Sequence, residues 1–237
     1  TQSFDALANT GATNELTIRG WALSEAGTSP NQLYGSGTGS SNAGDTYSFG
    51  SVAATDRALG GLQSGTVIPT IGAAFTNNTG LTLTSLLVSY FGEQWRNGGA
   101  NAIDTLDFQI STNATSLTTG TWTDVNALDF NSPIVSAVAA ALDGNLAANR
   151  TAVSSEITGL TLASGATIWI RWTHFNVAGS NAGLAIDDFS ITARSLTAAA
   201  DAGTVAENAT ITNGNLFAND ASLGGAPALL IASAMSG

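Results

Sequence analysis

The chain of 237 residues contains no cysteine, so disulfide frameworks and thiolate metal sites are excluded. It also contains no lysine: its six basic residues are Arg19, Arg57, Arg96, Arg150, Arg171 and Arg194. Against 17 acids they leave a formal charge of -11. Nucleic-acid wrapping needs clustered Lys and Arg, and anionic membrane surfaces attract basic segments, so neither partner is expected. No apolar run reaches the roughly 18–20 residues that span a bilayer, so membrane insertion is not expected either. No signal peptide is visible at Thr1, and an export signal is expected to have been removed. There is one histidine, His174, so a catalytic triad or an imidazole metal site would have to use it. It stands beside Trp172 with no motif around it, and a structural role is expected.

What the chain does have is alternation. Leu86, Val88 and Tyr90 fall on one face of a long strand, with Leu87, Ser89, Phe91 and Glu93 on the other. Leu106, Phe108 and Ile110 point inward while Asp107 and Gln109 point outward. Ile168, Ile170 and Trp172 alternate with Trp169, Arg171 and Thr173. Short strands are also read at residues 2–8, 16–23 (with Gly20 as a bulge), 45–51, 67–75 and 152–157. Pro69 points to an edge or a bulge. Residues 134–148 are Ala-rich and read as a short helix or ordered loop. About a dozen strands with turn signals and almost no helical period predict an all-β fold, a two-sheet antiparallel jelly-roll sandwich over residues 1–194. Residues 195–203 read as a linker. Residues 204–237 read as the beginning of a second β module or an assembly tail, too short to bury a core alone.

The closing strand, Gly183-Leu-Ala-Ile-Asp-Asp-Phe-Ser-Ile-Thr, carries adjacent acids. Neighbours on a strand face opposite ways, so one of Asp187 and Asp188 is expected to point inward, where an unpaired carboxylate is costly. A hard cation with oxygen ligands would compensate. Asp5 on the first strand and Asp45 after the Gly/Ser-rich loop could join the pair, so Asp5, Asp45, Asp187 and Asp188 are the expected Ca²⁺ ligands. A salt bridge to Arg19 or Arg194 is the simpler alternative. A second constellation is a sugar-binding face: Trp95 and Arg96 would stack on and hydrogen-bond a sugar, with Glu93, Asp107, Gln109, Trp169 and Arg171 on the same exposed surface. The alternative there is a buried Glu93 paired with Arg57, Arg96 or Arg150, and Trp95 covering the sandwich end. Glu93 and Asp107 could sit within hydrolytic distance on adjacent strands, but no enzymatic activity is expected. Asn77, Asn113, Asn149 and Asn208 each fall in an Asn-x-Ser/Thr match and read as surface loops.

Gly92-Glu93-Gln94-Trp95-Arg96-Asn97-Gly98-Gly99, Asn149-Arg150-Thr151 and the Ile186-Asp187-Asp188-Phe189 strand together resemble a jelly-roll module of bacterial secreted proteins, often found beside extracellular nucleases and repeat adhesins. The closing strand is also similar to that of MAM domains and of many carbohydrate-binding modules. There, a final-strand Asp helps hold a structural Ca²⁺. Thr204-Val-Ala-Glu-Asn and Gly214-Asn-Leu-Phe-Ala-Asn-Asp220 resemble the opening of a VCBS or cadherin-like repeat. These resemblances imply a non-catalytic, Ca²⁺-stabilised, extracellular or cell-surface module for adhesion or carbohydrate binding, with glycans or neighbouring copies of itself as partners. The alternatives are a structural subunit that polymerises by strand addition through its tail, and an accessory domain of a secreted hydrolase.

Overall fold

The structure, a computed structural model, describes residues 1–174 and 177–194 together with the two-residue strands Leu196–Thr197, Ala221–Ser222 and Ile231–Ala232. The expected linker and second module fall almost wholly outside the described residues.

Alternating apolar residues build two sheets. In chain order the strands are β1 (Trp21–Gly27), β2 (Tyr34–Gly37), β3 (Asp45–Phe49), β4 (Ala58–Leu62), β5 (Val67–Thr76), β6 (Ser85–Asn97), β7 (Thr105–Ser111), β8 (Thr123–Asp124), β9 (Phe130–Asn131), β10 (Ala140–Ala141), β11 (Arg150–Ile157), β12 (Thr167–His174) and β13 (Gly183–Arg194). One sheet runs β1-β5-β12-β7-β8, with β9 also on β7. The other runs β10-β6-β13-β4-β3-β2, with β11 also on β6. All these pairings are antiparallel except β2 with β3. The fold is a two-sheet antiparallel sandwich of the jelly-roll kind. Among the described residues the only helical turn is the 3-10 segment Asn126–Leu128, and the Ala-rich stretch holds β10 and turns instead of a helix.

The inward faces are those the alternation predicts. Leu86, Val88 and Tyr90 meet Leu106, Phe108 and Ile110, and Ile168, Ile170 and Trp172, in one core. Trp172 is fully buried and is its hub. It stacks on Trp21 at 6.0 Å and meets Tyr90, Phe108 and Phe189 edge-on at 5.3, 5.0 and 5.8 Å. Tyr90 and Phe189 belong to the opposite sheet, so these contacts clamp the layers together.

Two local expectations change and that for Pro69 holds. Residues 2–8 are not a strand; only Gln2 pairs, through two 2.8 Å backbone bonds with Phe189. That bridge does bring the start of the chain beside the last strand. Pro69 falls in the start of β5, which is an edge as expected, while the rest of β5 lies between β1 and β12. Pro69 lies opposite Glu25 of β1, one residue short of the β12 pairing that begins at Thr70, so its missing N–H costs no bond there. Asn77 and Asn149 are not surface loop residues: both are buried, and Asn77 Nδ2 donates to the carbonyls of Leu81 and Leu162 at 2.7 and 2.8 Å.

Trp172→Ala removes the hub. A buried Trp-to-Ala change costs about 3–5 kcal/mol. Thermal unfolding of the variant should therefore come on the order of 10 °C lower for a domain of this size. An unchanged melting temperature would contradict this account of the core.

Candidate functional site

The acidic pair sits at a β-bulge. On β13 the register jumps from Asp187 opposite Phe91 to Ser190 opposite Ser89, so Asp188 and Phe189 together face Tyr90 and the strand carries one extra residue. Asp188 takes a left-handed backbone, φ 49°, and the bulge turns Phe189 into the core. Residues directly opposite share a face. Asp187 therefore lies outward with Phe91 and Glu93, and Asp188 is exposed beside it. Neither acid points inward, which corrects the expectation from strict alternation.

Asp187 is covered all the same, at 5% exposure, and its carboxylate accepts the Asp188 N–H at 2.7 Å. Burial pushes its pKa up to about 8, and Glu93, Asp188 and Asp56 add repulsion. Glu93 is 1% exposed. Burial raises it to about 7, against the opposing pull of the Trp95 N–H and Arg150. Trp95 Nε1 donates to Glu93 Oε2 at 3.0 Å. Arg150 approaches Glu93 Oε1 and Asp188 Oδ2 at 3.8 Å each, too long for hydrogen bonds, and its guanidinium lies 3.9 Å over the Phe91 ring. The partner is thus Arg150, and neither Arg19 nor Arg194 bridges the pair among the described residues.

The four acids expected to hold Ca²⁺ are not gathered at one point. Asp5 is exposed and accepts a bond from Ser3 Oγ at 3.0 Å. Asp45 is in register with Leu62 and through it with Gly183, four residues along β13 from Asp187. That is about 13 Å in the strand direction. Asp45 instead faces Glu25 of the other sheet. Burial and the Glu25 carboxyl raise Asp45 to about 7. Burial also pushes Glu25 up, but bonds from Asn31 N–H, Thr46 N–H and the Thr46 hydroxyl (2.9, 2.8 and 2.9 Å) leave it below its ordinary value. Among the described residues no three His, Asp or Glu side chains come close enough together to hold a metal ion.

The expected sugar face is split. Glu93, Trp95 and Arg96 lie on β6, while Asp107, Gln109, Trp169 and Arg171 lie on β7 and β12 of the other sheet. Glu93 and Asp107 are therefore not on adjacent strands and form no hydrolytic pair. Trp95 is 2% exposed and stacks on Phe49 at 6.1 Å. Two loops close over it. A Cβ on Gly39 would lie 1.7 Å from the Trp95 carbonyl oxygen, and one on Gly144 would lie 2.3 Å from its indole nitrogen. Trp169 is 5% exposed, packed with Ala22, Ala74, Ala114 and Leu117 beneath half-buried Trp122. Neither ring can serve as an open platform. Arg171 is occupied too. Its Nε donates to Gln109 Oε1 at 2.8 Å, its Nη1 to the Leu117 carbonyl at 2.6 Å, and its guanidinium covers Trp122 at 4.0 Å. Gln109 in turn donates to Asp124 at 2.7 Å. Asp107 is buried and raised to about 6, first by burial and then by Asp124 and Asp129. His174 is buried with both ring nitrogens unpartnered, and burial lowers its pKa to about 4.

Arg96 is the exception. β6 bulges at Trp95, because Gly183 faces Arg96 while Leu184 faces Gln94. Arg96 follows at the sandwich end, where Nη1 donates to the carbonyls of Gly39 and Ser40 at 3.1 and 3.3 Å. It lines an open groove of about 540 Å³ with Asn42, Gln63, Ser64, Gly65 and the 177–181 loop. Arg96 is the only ionisable side chain in that lining. Gln63 is 6% exposed, its backbone carbonyl accepts from Asn181 Nδ2 at 3.1 Å, and its side-chain Oε1 is buried without a donor. The sequence pointed to Arg96 through Gly-Glu-Gln-Trp-Arg. Asn42, Gln63 and Asn181 carried no signal, since single amides in three separate loops have no period.

Comparison with protein-family models gives no match, and neither does comparison with curated protein sequences. Solved structures give loose similarities. One is TmCBM61 in complex with β-1,4-galactotriose, 11% identical, covering 81% of this chain and 99% of that one, with a TM-score of 0.38. Another is the CBM22-1 xylan-binding domain from Paenibacillus barcinonensis Xyn10C, 10% identical, with 81% and 91% covered and a TM-score of 0.39. A third is a CBM28 module specific for non-crystalline cellulose, 11% identical, with 78% and 94% covered and a TM-score of 0.35. The fold assignment rests on the strand pairings themselves.

The buried acids set a pH dependence. Folded values of about 8 for Asp187 and 7 for Glu93 and Asp45 stand above the ordinary carboxylate values near 4. Their contribution to stability is full below about pH 4 and is lost as pH rises through 7 and 8. His174, depressed to about 4, acts in the opposite sense, but only between its folded value and about 6.5. From pH 6.5 to 8.5 the acids therefore dominate, and the urea midpoint should fall. Asp187→Asn should flatten that fall. Equal midpoints at the two pH values in the unmodified protein would refute the assignment.

Proposed function

We propose that residues 1–194 are a non-catalytic carbohydrate-binding module of a secreted or surface-attached protein, and that the saccharide lies in the Arg96 groove at the sandwich end. The observation that carries this reading is the groove itself. It is open, lined by amides, hydroxyls and backbone with one guanidinium, and large enough for a few sugar rings. Sugar hydroxyls need such mixed donors and acceptors. Its lining holds no acid, so no carboxylate pair stands there for glycoside hydrolysis. The acidic, Thr-, Asn- and Gly-rich chain supports the extracellular setting.

Gly65 provides the test. A Cβ placed on it meets no atom within 4 Å, so a large side chain can enter the groove without disturbing the fold. Gly65→Trp should keep the melting temperature and lose binding in a screen of soluble polysaccharides by affinity electrophoresis. Retained binding by the folded variant would put the ligand elsewhere.

Ca²⁺ belongs to the same proposal in a narrower form, as a loosely held ion at the seam where exposed Asp188 shares an open cavity with Thr1, Gln2 and Ser3. An ion there would ease the repulsion among Asp187, Asp188 and Glu93. Melting curves with excess calcium should then lie above those with EDTA, and coincident curves would remove Ca²⁺ from the reading.

A further inference from the structure

Resting on the assignment of the groove to a saccharide, we infer that its ligand is an acidic one: a uronate-containing polysaccharide whose carboxylate docks on Arg96. Three features of the groove lead there. Arg96 forms no ion pair among the described residues, although the chain is strongly acidic and Arg150 and Arg194 both face carboxylates. Only Nη1 is used, by the Gly39 and Ser40 carbonyls, which fix the guanidinium from one side. Nε and Nη2 form the other edge, and no bond to a described residue occupies them. Two parallel N–H donors on one edge match the two oxygens of a carboxylate. Finally, the lining holds no acidic side chain to repel an anion.

Gln63 adds the complementary half. Its Oε1 lacks a donor, and a uronate ring supplies hydroxyl donors as well as the carboxylate. Turning that amide toward the groove meets a sugar hydroxyl and ends its isolation. The ligand class is thus set by the unused donor edge of Arg96 in a cleft without acids, beside a lining residue whose buried acceptor lacks a donor. The net charge of -11 disfavours a polyanion at long range, so recognition operates at physiological salt, where such repulsion is screened beyond about 8 Å.

The test compares trigalacturonate with its fully methyl-esterified form by calorimetric titration at physiological salt. Esterification removes the charge and keeps the rings and hydroxyls. The unmodified protein should prefer the free acid by about 10- to 100-fold, the worth of a charge-assisted bonded pair. Arg96→Gln should bring the acid down to the level of the ester. Since Arg96 also holds the Gly39 loop, Arg96→Lys serves as the second variant. It keeps the charge without the two-donor edge and should show an intermediate preference. Equal affinity of the unmodified protein for acid and ester overturns the acidic-ligand inference and leaves the saccharide assignment standing. Binding of neither compound, with neutral galactan or xylan oligosaccharides also failing, overturns both. A preference that survives in both folded Arg96 variants overturns the role of Arg96.

Discussion

Seven aromatic rings meet between the sheets, and the sandwich depends on their closing. Phe4, Trp21, Phe75, Tyr90, Phe108, Trp172 and Phe189 form a connected set of stacked and edge-on pairs. Phe4 and Phe189 come from the two ends of the domain, so the core is complete only when the chain has returned to its start. The Gln2–Phe189 bridge is the backbone counterpart of that closure. The bulge at Asp187 and Asp188 is part of the same constraint. Without the extra residue, the alternation after Ile186 would place Phe189 on the other face and an acid in the core. The doubled acid is thus tied to delivering an aromatic ring, and the acids remain on the outer surface as a consequence.

Each outer face is then closed by its own guanidinium–aromatic arrangement. Arg150 over Phe91, with Glu93 and Trp95, covers one sheet. Arg171 between Gln109 and Trp122 covers the other. In the second the polar groups are hydrogen-bonded, while in the first Glu93 Oε1 and Arg150 Nε are buried without hydrogen-bond partners, and both arrangements lie over packed rings. What stays open is the end of the sandwich, where loops from different parts of the chain meet around Arg96. The sugar-face residues expected from the sequence and the cavity of the structure therefore coincide at one position only.

That division follows from what sequence patterns encode. Alternation is local, so Leu106, Phe108 and Ile110, or Ile168, Ile170 and Trp172, disclose both strand and inward face. Which sheet a strand joins is not local. Nothing around Glu93 or Asp107 says that they end on opposite sides of the molecule. Nor does Trp95 show that loops near Gly39 and Gly144 will cover it. The bulge shifted one face of the last strand without changing its composition. The groove was the least legible feature, because Gln63, Arg96 and Asn181 lie on three separate segments and converge only after the sheets form.

The carboxyls buried along this framework change how the molecule carries charge. A chain with one histidine, itself sealed in the core, would ordinarily take up or release few protons near neutrality. Here Asp187, Glu93 and Asp45 titrate there instead. The folded domain is consequently less negative at pH 7 than its formal -11, and it binds protons as it folds. It buffers around neutral pH with carboxylic acids, a property that belongs to the folded shape and disappears when the chain unfolds.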